Sequence, residues 1–139
     1  MDATTARHRL ASAPVAHLAT VTPGGHAHLV PCCFALLGDC AYSVVDGKPK
    51  TTIALRRIEN LMSNPRASLL VDHYEDDWSQ LWWVRVDARG RIAVSAERDR
   101  AIDRLASKYE QYRTATSFGP VIALDIDHWS WWSSSPADR

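Results

Sequence analysis

Net charge is the first thing this chain lacks. Sixteen Lys and Arg balance sixteen Asp and Glu over 139 residues. A general nucleic-acid binder carries a basic face, and docking on an anionic membrane needs a polybasic patch, so neither partner is expected. Long apolar runs are also missing. None approaches the roughly 20 residues that a spanning helix needs. Near the N-terminus, Arg7, His8 and Arg9 are not followed by an extended apolar block, so no secretion signal is read and a cytoplasmic location is expected. Cysteine is scarce: Cys32, Cys33 and Cys40 are the full set. An odd number in a chain without a signal reads as reduced thiols rather than a disulfide framework. There is no G-x-S-x-G, no Walker lysine motif and no G-x-G-x-x-G, which leaves a serine hydrolase, a P-loop NTPase and a Rossmann dehydrogenase without support.

What is present is an ordinary globular composition, 46% hydrophobic and 23% charged. The length suits one domain over residues 1–139, which would bury roughly 70% of its unfolded surface. Within it, 1–12 is an N-terminal helical segment and 133–139 a flexible tail. A strand is expected over 15–21, a turn at Thr22-Pro-Gly-Gly25, and a second strand in "HAHLVPCCF", where Pro31 suggests an edge. "CAYSVV" is a third strand. Residues 52–63 repeat apolar side chains at helical spacing (Ala54, Ile58, Leu61, Met62), and Asn64-Pro65 ends the helix. "RASLLVD" is a strand. "LWWVRVD" and "RIAVS" read as two strands of a hairpin turned at Ala88-Arg89-Gly90. A helix over 97–112 and a closing strand "VIALDIDHWSWW" complete the chain. Strands grouped in hairpins with inserted helices point to an antiparallel barrel or sheet, mainly β within the α+β class, carrying two or three helices.

Three groups of residues can carry chemistry. "DGKPKTTIALRR" places Lys48, Lys50, Thr51 and Arg56 around a helix start. Unsatisfied N–H groups and the helix dipole there favour an anion. A solvated charged loop is the competing reading. The six tryptophans fall in "DWSQLWWVR" and "HWSWW". Neighbours on a strand point to opposite faces, so they cannot all enter one small core. The surplus suggests a subunit interface or an aromatic wall for a flat ligand. His26 and His28 stand two apart near Cys32 and Cys33, but no second cluster has ligand spacing, so no metal is expected.

The order "VAHLATVTPGGHAHLVPCCF", "DGKPKTT", "LRRIENLMSNPRASLLVDHYEDDWSQLWWVRVDARGRI" resembles the pyridoxamine-phosphate-oxidase-like superfamily. Within it, the text is most similar to the small actinobacterial oxidoreductases that use the deazaflavin coenzyme F420 instead of FMN. The resemblance runs from about Val15 to Trp132. It implies a split β-barrel of six to seven antiparallel strands and a homodimer with the cofactor at its interface. It implies that Lys48, Lys50, Thr51 and Arg56 hold the cofactor phosphate. Arg57 stands about 100° round the helix from Arg56 and is expected to face solvent. It implies that the strand around Pro31, Cys32 and Cys33 lines the ring, and that Trp78 and Arg85 also reach the cofactor. The implied reaction is hydride transfer between the deazaflavin C5 and an unidentified small molecule, with no catalytic residue named. The alternatives are an FMN-binding oxidoreductase of the same fold and a non-catalytic carrier of the cofactor or of a tetrapyrrole.

Overall fold

A computed structural model describes residues 1–45 and 52–135. Helix α1 (Ala3–Ser12) opens the chain, capped by the Asp2 carboxylate, which accepts from the Thr5 N–H at 2.8 Å. Strands β1 (Ala16–Val21) and β2 (Ala27–Cys32) form the first hairpin. A short β3 (Ala35–Leu37) and β4 (Cys40–Val44) form the second, turned at Gly38 with φ of +61°. Then come α2 (Thr52–Ser63), β5 (Arg66–His73), a 3-10 turn at Trp78–Gln80 and β6 (Trp82–Ala93). Helices α3 (Ser95–Lys108) and α4 (Glu110–Arg113) lead into β7 (Val121–Ser133).

The seven strands make one antiparallel sheet in the order β2-β1-β5-β6-β7-β4-β3. It is split-barrel-like rather than a closed barrel. β2 lies at an edge, which is where Pro31 costs no ladder hydrogen bond. β6 and β7 pair along their whole length, with one irregularity. Asp87 faces His128 while Ala88 faces Ile126, leaving Asp127 as the extra residue of a bulge. On one side of the bulge the pair continues the β2-β1-β5 region, and on the other β7 turns to β4.

Two cores result. The larger gathers Leu18, Phe34, Leu69, Val84, Val86, Ile122 and Leu124 under α1 and α2. The smaller packs Tyr42, Val44, Val121 and Ala123 against Ala101 and Leu105 of α3. β4 and the first half of β7 lie between them, and this explains why "CAYSVV" and "VIAL" read as continuous apolar runs.

The expected hairpin at Ala88-Arg89-Gly90 does not exist: all three residues lie inside the single strand β6. Gly90 is there for packing. A Cβ on it would stand 2.5 Å from Leu61 Cδ2 of α2. The strand expected in "CAYSVV" is β4, and the short β3 before it was not expected. The helix expected over 97–112 starts two residues earlier and is interrupted at Tyr109, so the described residues hold three longer helices and the single turn α4. Met62, expected on the packed stripe of α2, is 59% exposed. The expected tail starts too early: Ser133 is buried within β7 and the Ser134 N–H donates to the Leu81 carbonyl at 2.9 Å. Its last residues, 136–139, lie outside the described residues.

An ion cluster braces the smaller core. Arg91 donates to both Glu97 oxygens at 2.6 and 2.7 Å and to Asp125 at 2.6 and 3.0 Å, while the Tyr42 hydroxyl donates to Glu97 at 2.8 Å. Arg91 and Tyr42 together hold the Glu97 carboxyl down to about 2 from an ordinary 4.5. A depressed carboxyl stabilises the fold above its unfolded value, and that contribution disappears as pH falls. Stability should therefore decline between pH 4.5 and about 2, with a shallower acid limb in Glu97→Gln. Chemical denaturation at stepped pH measures it, and superimposable limbs would refute the role of this cluster. Gly90→Ala should cost about 1–3 kcal/mol by overpacking. Leu61→Ala in the same background should recover part of that cost. Strictly additive effects would mean that the two residues do not meet.

Candidate functional site

Helix α2 presents Arg57, Asn60 and Leu61 on one face, since residues three and four apart share a side. Leu61 enters the larger core and Ile58 packs beside it. Asn60 is buried and donates to Thr20 Oγ1 at 3.0 Å, which locks α2 onto β1. Arg57 is thereby held half-buried over the C-terminal end of β2. Its Nε is shielded from solvent and has no hydrogen-bond partner among the described residues. Arg56, one position along, is exposed.

Arg57 lines a cavity of about 390 Å³ with Pro31, Cys32, Cys33, Ser43, Val44, Gln111, Tyr112 and Ala115. Its walls come from β2, β4, α2 and α4. Ser43 Oγ donates to the Cys33 carbonyl at 2.8 Å, tying β4 to the end of β2. Burial pushes the Cys32 thiol up to about 11, with the Arg57 charge pulling the other way. Behind the cavity, the Tyr109 hydroxyl accepts from the Phe34 N–H at 3.1 Å and lies 2.9 Å from the Pro14 carbonyl. Lys108 Nζ donates to the Phe34 carbonyl at 2.9 Å and sits 3.9 Å above the Phe34 ring. Burial pulls the Lys108 amine down to about 8. The break between α3 and α4 at Tyr109 lets α4 turn and place Tyr112 in the cavity wall, edge-on to Phe118.

The expected site residues divide. Pro31, Cys32 and Cys33 come together in this cavity. Arg56 does not line it, and Arg57, expected in solvent, does. The signal for Arg57 was in the sequence: it stands four residues before Leu61 and so shares the buried face. Lys48, Lys50 and Thr51 lie outside the described residues. Trp78 is 76% exposed on the 3-10 turn. Arg85 is exposed on the outer face of the sheet, its guanidinium 5.7 Å from the Trp83 ring centre. Sequence reasoning missed Ser43, Gln111 and Tyr112, which reach the cavity only through strand pairing and the helix break.

The outer face of β2-β1-β5-β6-β7 connects these places. Its register runs Pro31, His17, Leu70, Arg85, Ser130 across five strands. Arg85 and Leu70 line a second concavity of about 370 Å³ with Asp72, Tyr74 and Trp83. A third, about 440 Å³, lies around Arg66, Ser68, Asp87 and His128. Two of its polar groups already satisfy each other, since Ser68 donates to Asp87 at 2.7 Å. The tryptophans separate by face. Trp82, Trp129 and Trp131 pack on the larger core beneath α1, while Trp83 and Trp132 stand on the outer face. Leu29, also on that face, is 66% exposed.

Residues 3–133 match the sequence model of the family described as pyridoxamine 5'-phosphate oxidase. Among curated proteins, none matches the chain. Solved structures with the same fold include a conserved hypothetical protein from Mycobacterium tuberculosis, with a TM-score of 0.79 and 17% identity over 100% of this chain and 89% of that one. A FAD-binding protein from Mesorhizobium loti gives 0.70 and 21%, over 94% of both chains. The heme storage protein HutZ of Vibrio cholerae gives 0.67 and 15%, over 94% of this chain and 89% of its own.

Proposed function

Since this chain belongs to the pyridoxamine 5'-phosphate oxidase family, we propose that it is a homodimeric oxidoreductase that binds a flavin-type cofactor, the deazaflavin F420 or alternatively FMN. The observation that carries the reading is Arg57, which lines the cavity at the end of β2 and whose buried Nε has no hydrogen-bond partner among the described residues. A desolvated guanidinium nitrogen without an acceptor is costly, and an anionic ligand group satisfies it. The cofactor phosphate is such a group. Lys48, Lys50 and Thr51 immediately precede α2 in sequence and complete the anion grip in this reading. The deazaflavin is preferred because the "DGKPKTT", "NPRASLLVD" and "DDWSQLWWVR" stretches resemble the F420-using members of the family.

When bound, the cofactor supplies the hydride chemistry, and the protein binds, orients and excludes water. Arg57 anchors the anion. Pro31 and Cys33 offer a wall beside it, and Tyr112 closes the opposite side. The second subunit covers the outer sheet face, where Leu29, Leu70, Trp83 and Trp132 form the apolar part and Arg85 the polar part. The outward tryptophans support this arrangement, because exposed aromatic surface on a sheet favours burial against a partner.

Parallel titration with FMN and F420, followed by an acceptor screen with the one that binds, tests the function. Binding of one cofactor and its turnover with an acceptor are expected. Binding of hemin alone, or binding without any acceptor turnover, would make the chain a carrier. Light scattering at micromolar concentration should give the mass of a dimer, and a monomer mass with cofactor bound would refute the interface. A charge-assisted hydrogen bond contributes on the order of 1.5–3 kcal/mol. Arg57→Gln should therefore weaken cofactor binding roughly ten- to a hundredfold, while Arg56→Gln changes it little. Equal losses in both variants would return the anion site to the helix surface.

A further inference from the structure

The sheet ends at β2 on one side and at β3 on the other. A strand edge presents a row of backbone N–H and C=O groups with which another strand can pair. β2 is blunted by Pro31, which has no N–H to give. β3 is covered by side chains instead. It turns into β4 through Gly38 and Asp39, with Leu37 opposite Cys40, Leu36 opposite Ala41 and Ala35 opposite Tyr42. In a two-residue hairpin the pair beside the turn exchanges hydrogen bonds and the pairs alternate from there. The carbonyls of Phe34, Leu36 and Gly38 therefore point away from β4, and all three are taken by cations. Lys108 Nζ donates to the Phe34 carbonyl at 2.9 Å, and Arg104 Nε donates to the Leu36 carbonyl at 3.0 Å. Arg7 of α1 donates to the Gly38 carbonyl and pairs with Asp39 at 3.0 Å. The outward Phe34 N–H is taken as well, by the Tyr109 hydroxyl at 3.1 Å.

The spacing of these caps is geometric. Arg104 and Lys108 are four helix residues apart, a rise of about 6 Å. Leu36 and Phe34 are two strand residues apart, an advance of about 6.6 Å. α3 thus presents donors at nearly the repeat of a neighbouring strand. Its buried residues Ala101 and Leu105 fix the rotation that puts Arg104 and Lys108 on this side. Ionised donors also bond a carbonyl more strongly than the neutral N–H of a competing strand. We propose that β3 is a latent pairing surface for the β3 of a second copy of this chain, and that Arg104 and Lys108 keep it closed. The partner is the same edge because a two-fold axis at Leu36 sets residues 34–38 of one copy antiparallel to those of the other, and none of these residues is proline. With a subunit interface on the outer sheet face, an open β3 edge would link dimers into unlimited chains. That consequence rests on the functional reading above. The closure of the edge does not.

The test is sedimentation velocity over a concentration series, comparing the parent with Arg104→Ser/Lys108→Ser. The double variant should form heavier species than the parent at concentrations roughly tenfold lower, the scale set by one or two ladder hydrogen bonds. Hydrogen exchange followed by peptide mass should slow over residues 34–38 as those species form. The substitutions leave a neutral chain with two excess negative charges, which opposes non-specific association. Arg100→Ser/Arg89→Ser makes the same charge change on exposed arginines that bond no β3 carbonyl, and it should sediment as the parent does. Arg104→Ser alone removes an exposed side chain and costs the fold little, so it carries the test if the double variant does not fold. It should associate more than the parent and less than the double variant. An unchanged mass in the folded cap variants, equal association in the control, or association without added protection at 34–38 would overturn the proposal. Only the increase over the parent is read, so the result stands whether the parent is a monomer or a dimer. A monomeric parent would defeat the dimer reading alone.

Discussion

The pairing of β6 with β7 is the constraint on which the other parts depend. Twelve register pairs from Trp82↔Ser133 to Ala93↔Val121 tie the two longest strands together. The extra residue Asp127 bends the pair at its middle. One half then joins β5, β1 and β2, and the other joins β4 and β3. The bend gives the sheet two inner surfaces, one for α1 and α2 and one for α3. The cavity follows from it. β2 ends the strand order on one side and β4 is next to last on the other, yet Pro31, Cys33, Ser43 and Val44 line one cavity because the sheet curls around the bulge.

Much of this architecture was legible in local patterns. Alternation gave β1 and β5, and the 52–63 helix has its expected bounds because Asn64-Pro65 ends it. Gly90 was misread because glycine inside a strand signals either a turn or a close approach, and local sequence does not distinguish them. The distinguishing fact is Leu61, 29 positions away in the chain but in contact in space. The break at Tyr109 was hidden for a similar reason. Ile102, Leu105, Tyr109 and Tyr112 keep apolar character through it, and all remain packed on the smaller core although the helix stops.

The site was partly legible. Positive charge near a helix start drew attention to α2, but the arginine that lines the cavity is Arg57 rather than Arg56. Charge and hydroxyl spacing describe what a loop can offer to an anion. Which side chain points inward is set by the apolar stripe, and that stripe runs through Ile58 and Leu61. Arg57 is carried onto the cavity because Asn60 and Leu61 fix the rotation of α2. The exposed tryptophans follow the same logic on the sheet: strand alternation alone separates Trp82 from Trp83 and Trp131 from Trp132. Which face the core takes is decided by Val84 and Val86.

The cavity's chemistry rests on a balance between desolvation and charge. Taking a guanidinium nitrogen out of water without an acceptor raises the energy of the free protein. The same low polarity strengthens attraction to any anion that enters. In the proposed reading, anion binding and a free state whose Arg57 Nε has no acceptor among the described residues are two consequences of one arrangement. Fold stability must come from elsewhere to tolerate it. Asn60 Nδ2 bonded to Thr20, Tyr109 bridging Pro14 and Phe34, and Lys108 on the Phe34 carbonyl supply polar contacts between elements, although Asn60 Oδ1 itself has no hydrogen-bond partner among the described residues. None of Thr20, Asn60, Lys108 and Tyr109 is among the residues that line the cavity.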